Sequence, residues 1–386
     1  LFISGRCNCD CFYCPTAQNE LGQPTTNTVV FRHPADYVAY LERFGFRGAS
    51  ISGGEPLLTP QRTLAFVAAV KRRFGAAMHL WLYTNGTLAD VEILTRLRDA
   101  GLDEIRFDIG ATGYRLEALQ GAVGVIPTVT VEIPAIPEDV PLLKERMLQM
   151  REAGVDYLNL HQLRLTPYNF DHLVSRGYTF VHGEKVTVMD SELAALELVR
   201  HSVDKRLGLP VNYCSFVYKN RYQSWAARRR NASLVQKGYE TMTGSGYLRT
   251  LTLLGSAQAA GRQAEAFAAS GVDGALWAFG SSREKLTFSP ALWPLIDFIS
   301  FRLLVQYAAA RQLAAVSYRN PFVNIRLATG KQVTIERSRV GCDFELVGDR
   351  IDGFARFVSG SAGPADESFA EMIPFERIAE GLQDYF

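Results

Sequence analysis

Two stretches of this chain end a helix and open a strand with nearly the same residues, and they constrain the fold more than any other feature. Arg98-Asp99-Ala100-Gly101-Leu102-Asp103 is echoed by Arg151-Glu152-Ala153-Gly154-Val155-Asp156, with a weaker copy, Arg43-Phe44-Gly45-Phe46, upstream. The copies lie 50 to 60 residues apart, close to two strand-helix units. In each, glycine supplies the left-handed stop of a helix. Apolar runs place six strands near 1–5, 48–53, 78–84, 103–109, 128–134 and 157–165, with helices between most of them. That alternation predicts an α/β fold of parallel crossover units, a partial (β/α)6 barrel. Functional groups in such folds gather at the C-terminal ends of the strands.

Period-two alternation indicates which side chains point inward. In the fourth strand Ile105, Phe107 and Ile109 share the face suited to packing on helices, while Glu104, Arg106 and Asp108 share the other. Thr130 and Glu132 in the fifth strand, and Asn159 and His161 in the sixth, likewise oppose apolar neighbours. Polar groups inside a barrel need partners or a ligand. Both readings stay open here, with ligand contact weighed most heavily for Asp108 and His161.

The chemistry concentrates near the start. Cys7, Cys9, Cys11 and Cys14 fall within eight residues, and three of them form the spacing C-x3-C-x2-C. A cubane iron-sulfur cluster takes four thiolates, so Cys7, Cys11 and Cys14 would leave one iron open for chemistry. A zinc knot would need a second ligand pair, but the remaining cysteines, Cys214 and Cys342, are isolated in the sequence. Crowded cysteines are poorly placed to pair with one another, and a chain of 386 residues needs no disulfide staple. Cys9 fits no ligand spacing and is read as a neighbouring thiol.

Two further motifs follow at strand ends. Ser52-Gly53-Gly54-Glu55-Pro56 comes directly after Ala49-Ser50-Ile51, and Tyr83-Thr84-Asn85-Gly86 directly after His79-Leu80-Trp81-Leu82. Together with the cysteine triad and its aromatic Tyr13, in this order, they resemble the signature of the radical SAM superfamily. Within it the chain is similar to an uncharacterised group related to pyruvate formate-lyase activating enzymes, on the phrases Val131-Glu132-Ile133-Pro134-Ala135-Ile136-Pro137, Tyr157-Leu158-Asn159-Leu160-His161-Gln162-Leu163 and Asn212-Tyr213-Cys214-Ser215. The superfamily resemblance covers about residues 1–170, and the narrower one extends to about 240.

The resemblance implies a site-differentiated [4Fe-4S] cluster on Cys7, Cys11 and Cys14 and reductive cleavage of S-adenosylmethionine. It further implies a 5′-deoxyadenosyl radical that takes hydrogen from an unidentified peptide, protein or small metabolite. An electron donor such as flavodoxin or ferredoxin is implied as partner. Gly53 and Gly54 would let backbone approach the ligand, and Glu55 with neighbouring carbonyls, beside Pro56, would receive its ammonium. Thr84 and Asn85 would hydrogen-bond the ligand, Asp108 would hold ribose hydroxyls, His161 would lie near the carboxylate or adenine, and Tyr13 would pack beside the adenine. The Gly53–Pro56 segment also reads as a strand-to-helix turn, and Asn85-Gly86 as an ordinary turn. Methyl or other group transfer on the same cluster is the alternative reaction. An iron-sulfur electron carrier or a zinc-binding scaffold is the alternative of another class.

Composition adds bounds. Net charge is +1, which gives no bulk field for nucleic acid or anionic membranes, and no apolar run is long enough to span a bilayer. Clustered free cysteines point to a reducing cytoplasm, and an open cluster to an anaerobic setting. The chain begins with Leu inside a strand, so residues upstream, including a targeting segment, stay open.

Three divisions are expected: 1–170 as the partial barrel, 171–243 as an extension with a basic helix, and 244–386 as a mixed α+β domain. In the extension Asp190 reads as a helix N-cap, with Leu193, Leu196 and Val199 on one face and a stop at Gly208-Leu209-Pro210. A short strand near 211–217 precedes Arg228-Arg229-Arg230, read as a solvated face or an anion or reductant contact. Cys214 is a candidate thiol for catalysis, weighed against a small buried hydrophobe. The last division is expected to hold helices near 257–269 and 290–315 and strands near 315–327, 331–337 and 343–348.

Overall fold

A computed structural model of the chain describes residues 1–18, 20–183, 185–360 and 367–378. The chain forms two compact units, Leu1–Asn220 with Leu327–Lys331, and Arg221–Arg326 with Gln332–Phe386. No described helix is long and apolar enough to cross a membrane.

The first unit alternates strand and helix. Its elements are β1 (Phe2–Ser4), the short pair β2 (Thr25–Thr26) and β3 (Val29–Val30), α1 (Pro34–Arg43), β4 (Gly48–Gly53), α2 (Pro60–Phe74), β5 (His79–Thr84), α3 (Val91–Asp99) and β6 (Glu104–Phe107). They continue with α4 (Glu117–Ala122), β7 (Thr128–Pro134), α5 (Val140–Glu152), β8 (Tyr157–His161), α6 (Phe170–Val174), β9 (Phe180–Val181), β10 (Thr187–Val188), α7 (Met189–Asp204), β11 (Val211–Cys214) and a single turn, α8 (Phe216–Tyr218). The sheet runs β11-β8-β7-β6-β5-β4-β1-β2-β3, parallel from β11 to β1. The six expected strands are present as the α/β partial barrel. A seventh, β11, adds parallel to β8 with Cys214 in register with His161.

The internal repeat has a physical reason. Gly101 and Gly154 adopt φ of +93° and +87°, as helix stops require. The aspartate closing each copy then ties two strands together. Asp103 accepts a hydrogen bond from Leu80 N at 2.7 Å and donates its own N–H to Leu80 O, and Asp156 does the same with Val129. Asp103 also pairs with Lys71 at 2.7 Å.

Inward and outward faces follow the alternation. Ile105, Phe107 and Ile109 are buried. On the other face Arg106 holds Glu104 at 2.7 Å and Glu132 at 2.6 Å, while Tyr83 and Asn159 donate to Glu132 and Thr130 donates to Glu104. Most interior polar groups therefore satisfy one another.

Two expectations for α7 are corrected. Its N-cap is Val188, and Asp190 lies in the first turn, where it accepts from Thr179 N. Its buried stripe is Ser191, Ala194, Ala195, Leu198 and Ser202, whereas Leu193 and Leu196 are half exposed. Close approach favours the small residues: Ser191 Oγ donates to Ala135 O and accepts from Leu163 N.

The second unit begins with α9 (Trp225–Val235), which contains Arg228 to Arg230, and continues with β12 (Thr241–Met242), β13 (Leu248–Leu254), α10 (Ala257–Ala269), β14 (Trp277–Phe279) and β15 (Lys285–Phe288). Next come β16 (Arg302–Leu313), β17 (Phe322–Arg326), β18 (Gln332–Leu346), α11 (Asp349–Ser359) and α12 (Ile373–Glu376). An antiparallel sheet runs β14-β15-β13-β16-β18-β17, and β12 pairs with β13. The helix expected over 290–315 is a correction: β16 is the central strand, paired on both sides by β13 and β18. Leu303, Val305 and Tyr307 point into a core with Phe267, Phe288 and Phe354. Each such side chain contributes about 2 kcal/mol of burial.

Candidate active site

The C-terminal ends of the parallel strands enclose a cavity of about 560 Å³. Cys7, Cys9, Cys11 and Cys14 line it, as do Tyr13, Gly53, Gly54, Thr84, Asn85, Asp108 and His161. The expected candidates Glu55, Pro56 and Cys214 do not line it.

β1 delivers its end into the cysteine loop, and the loop is clamped by the two neighbouring strand ends. Gly54 N donates to Ser4 O at 2.8 Å and Glu55 N to Arg6 O at 2.9 Å. A Cβ on Gly53, whose φ is +151°, would lie 2.2 Å from Ser4 O, and one on Gly54 would lie 2.3 Å from Arg6 O. The glycine pair thus admits the chain's own cysteine loop, besides presenting backbone to the cavity.

Glu55 is bonded within the protein. Its carboxylate is fully buried and accepts from Leu57 N at 2.8 Å, Thr84 Oγ1 at 3.0 Å and Asn85 N at 2.7 Å. Burial pushes its pKa up against those three donors. Through these three bonds it braces one turn against the next. Pro56, also buried, opens the helical turn after it and accepts from Thr63 Oγ1.

Thr84 and Asn85 serve the same brace. Thr84 Oγ1 also accepts from Gly86 N at 3.1 Å. Asn85 Nδ2 donates to Asn8 Oδ1 at 2.8 Å and approaches Cys7 Sγ at 3.8 Å, while its Oδ1 accepts from Thr87 N and Oγ1. Asn8, which sequence reasoning missed, donates in turn to Thr87 Oγ1. Asn169, also missed, reaches from the far end of the sheet and donates to Tyr13 O at 3.1 Å. The bonds from Asn8 to Thr87 and from Asn169 to Tyr13 join residues remote in sequence.

Tyr13 Oη donates to both Asp108 oxygens at 3.0 Å. Burial raises Asp108 to about 6, partly offset by Tyr13 and by the Ala111 and Gly110 amides. His161 is driven the other way, to about 3, by burial and then by the charges of Lys219 and Arg164. Its imidazole is neutral at physiological pH. Cys214 is half buried, and burial raises its thiol pKa.

The thiols fit a cluster. Burial raises Cys7 and takes Cys11 to about 12, so the protein alone keeps them neutral, and coordination is what turns such thiols into thiolates. Gln18 Nε2 donates to Cys14 Sγ at 2.6 Å and Cys9 N to Cys7 Sγ at 3.5 Å, the kind of outer support that orients metal ligands. Among the described residues no three His, Cys, Asp or Glu side chains converge closely enough to hold one ion. Three thiolates would occupy three corners of a polynuclear cluster, whereas a closed zinc site takes four ligands.

A family model for the radical SAM superfamily matches residues 1–119. A Methanocaldococcus jannaschii protein described as a "putative glycyl-radical enzyme activating enzyme" is 30% identical over 263 residues, covering 64% of this chain and 68% of the relative. A GTP 3′,8-cyclase of Corynebacterium glutamicum is 32% identical over 113 residues, 28% of this chain and 29% of the relative. Among solved structures, Streptococcus suis SuiB bound to S-adenosylmethionine superposes with a TM-score of 0.40 at 12% identity, covering 59% of this chain and 55% of SuiB. The chain belongs to the radical SAM superfamily, as an enzyme that uses a [4Fe-4S] cluster and S-adenosylmethionine and resembles the activating enzymes of glycyl-radical enzymes.

Proposed function

We propose that Cys7, Cys11 and Cys14 hold the cluster, that the adjoining cavity takes S-adenosylmethionine, and that the enzyme abstracts hydrogen from a peptide, protein or small metabolite. The observation that carries this reading is the convergence of the three thiols, the Tyr13–Asp108 pair and the Gly53-Gly54 backbone on one cavity. When bound, the cluster supplies one electron to the sulfonium, giving the 5′-deoxyadenosyl radical that abstracts hydrogen.

The protein's own residues hold and orient. Tyr13 fixes the Asp108 carboxylate, whose remaining lone pairs suit a vicinal diol such as ribose. Gly53 and Gly54 offer backbone to a close ligand, and neutral His161 offers an aromatic edge without a competing charge. Glu55, Thr84, Asn85 and Asn8 hold the cysteine loop in place, and such fixed geometry is what proximity catalysis demands. A one-electron donor such as flavodoxin or ferredoxin completes the cycle, in an anaerobic cytoplasm.

The test is turnover of S-adenosylmethionine by anaerobically reconstituted protein with dithionite. Formation of 5′-deoxyadenosine and methionine is expected. S-adenosylhomocysteine or a methylated product instead would favour group transfer, and no turnover with a full cluster would favour an electron carrier.

A further inference from the structure

The wall formed by the ends of β8 and β11 carries two cations that nothing in the cofactor reading uses. Arg164 and Lys219 both line the cavity, and no ion pair engages either among the described residues. Both face one ring. The Arg164 guanidinium lies 5.7 Å from the Phe216 centroid and the Lys219 ammonium 5.0 Å.

The turn that presents them is built. Gln162, buried at the end of β8, accepts from Phe216 N at 3.2 Å and donates to Val188 O and Glu192. Ser215 caps the same turn, accepting from Tyr218 N on its Oγ and from Lys219 N on its carbonyl. Asn169 donates to Arg164 O as well as to Tyr13 O, which fixes the backbone of Arg164 beside the cysteine loop. Two cations so held, with no ion pair among the described residues, favour an anion.

We infer that Arg164, Lys219 and Phe216 form the substrate-anchoring wall of the cavity, and that the substrate carries a carboxylate or phosphoryl group that docks between the two cations. This rests on the proposed function, and it specifies the substrate's chemistry. The carboxylate of S-adenosylmethionine, expected near His161 if not the adenine, is the competing source of such an anion, and the affinity measurements below distinguish the two. The cavity of about 560 Å³ lies within the usual range of ligand sites.

The experiment uses reconstituted, S-adenosylmethionine-loaded protein and inorganic phosphate as probe, with binding followed by calorimetry under anaerobic conditions. Wild type is expected to bind phosphate at millimolar concentration. R164Q and K219Q are each expected to weaken it roughly tenfold, and K219R to restore most of it, with S-adenosylmethionine affinity unchanged in all three. Restoration by K219R separates charge from folding. Absence of phosphate binding by wild type overturns the inference, as does phosphate competing with S-adenosylmethionine, or R164Q and K219Q each weakening S-adenosylmethionine itself tenfold. These outcomes are separate from the proposed function, which fails only if the wild-type cluster does not respond to S-adenosylmethionine.

Discussion

Replacing Glu55 by glutamine distinguishes a brace from a ligand contact. The carboxylate accepts Leu57 N and Thr84 Oγ1 on one oxygen and Asn85 N on the other. An amide keeps the shape but turns one acceptor into a donor. With the amide nitrogen at either position at least one backbone N–H, that of Leu57 or Asn85, is buried without an acceptor. A lost charge-assisted bond costs about 1.5–3 kcal/mol, offset in part because glutamine avoids the burial of charge that raises Glu55. The net expected loss is about 1–3 kcal/mol, a large share of a typical total of roughly 5–15. The assay is denaturant unfolding of the reduced protein without cluster or ligand, paired with S-adenosylmethionine affinity after reconstitution. E55Q should lower the unfolding midpoint, and T84V should lower it less. Unfolding identical to wild type together with a tenfold loss of affinity would refute the bracing role.

Further outcomes follow from the same geometry. G53A and G54A put a methyl 2.2 Å and 2.3 Å from carbonyl oxygens of the cysteine loop, so each should reduce iron bound per chain to background; normal iron in either would contradict the clamp. C7A, C11A and C14A should abolish deoxyadenosine formation while C9A spares it, and full loss in C9A would overturn the ligand assignment. His161 is held at about 3, below its usual value near ~6.5, so below that value the unfolded chain gains a proton the folded protein refuses. Stability should therefore fall with pH from ~6.5 downward, by at most ~1.4 kcal/mol per unit from this residue, and H161N should flatten the slope. An imidazole that titrates near 6.5 by NMR would contradict the neutral assignment.

Much of the first unit was legible because its signals are local. Gly101 and Gly154 sit at positive φ and the Asp103 and Asp156 carboxylates repeat one bonding pattern, so a shared physical task left a shared sequence. The alternation through Glu104 to Ile109 sorted its faces for the same reason. What failed depended on partners far along the chain. β11 joins β8 by pairing that no residue in Val211–Cys214 announces. β16 is apolar and alanine-rich on both faces because strands flank it and the core covers it, and such a run reads equally as a buried helix. The three donors to Glu55, from Leu57, Thr84 and Asn85, are likewise evident only after folding. Cys214 keeps its register beside His161, but Phe216 and Lys219 on the next turn are the residues that reach the cavity.

The central claim is that three thiols hold a cluster and leave one iron for S-adenosylmethionine. Electron paramagnetic resonance of the reduced, anaerobically reconstituted protein, recorded with and without S-adenosylmethionine, tests it most directly. A [4Fe-4S] spectrum that shifts on addition of S-adenosylmethionine, and is lost in the C11A variant, is the expected result. A cluster signal indifferent to S-adenosylmethionine would mean that the fourth iron is already ligated by the protein, and the account would fail.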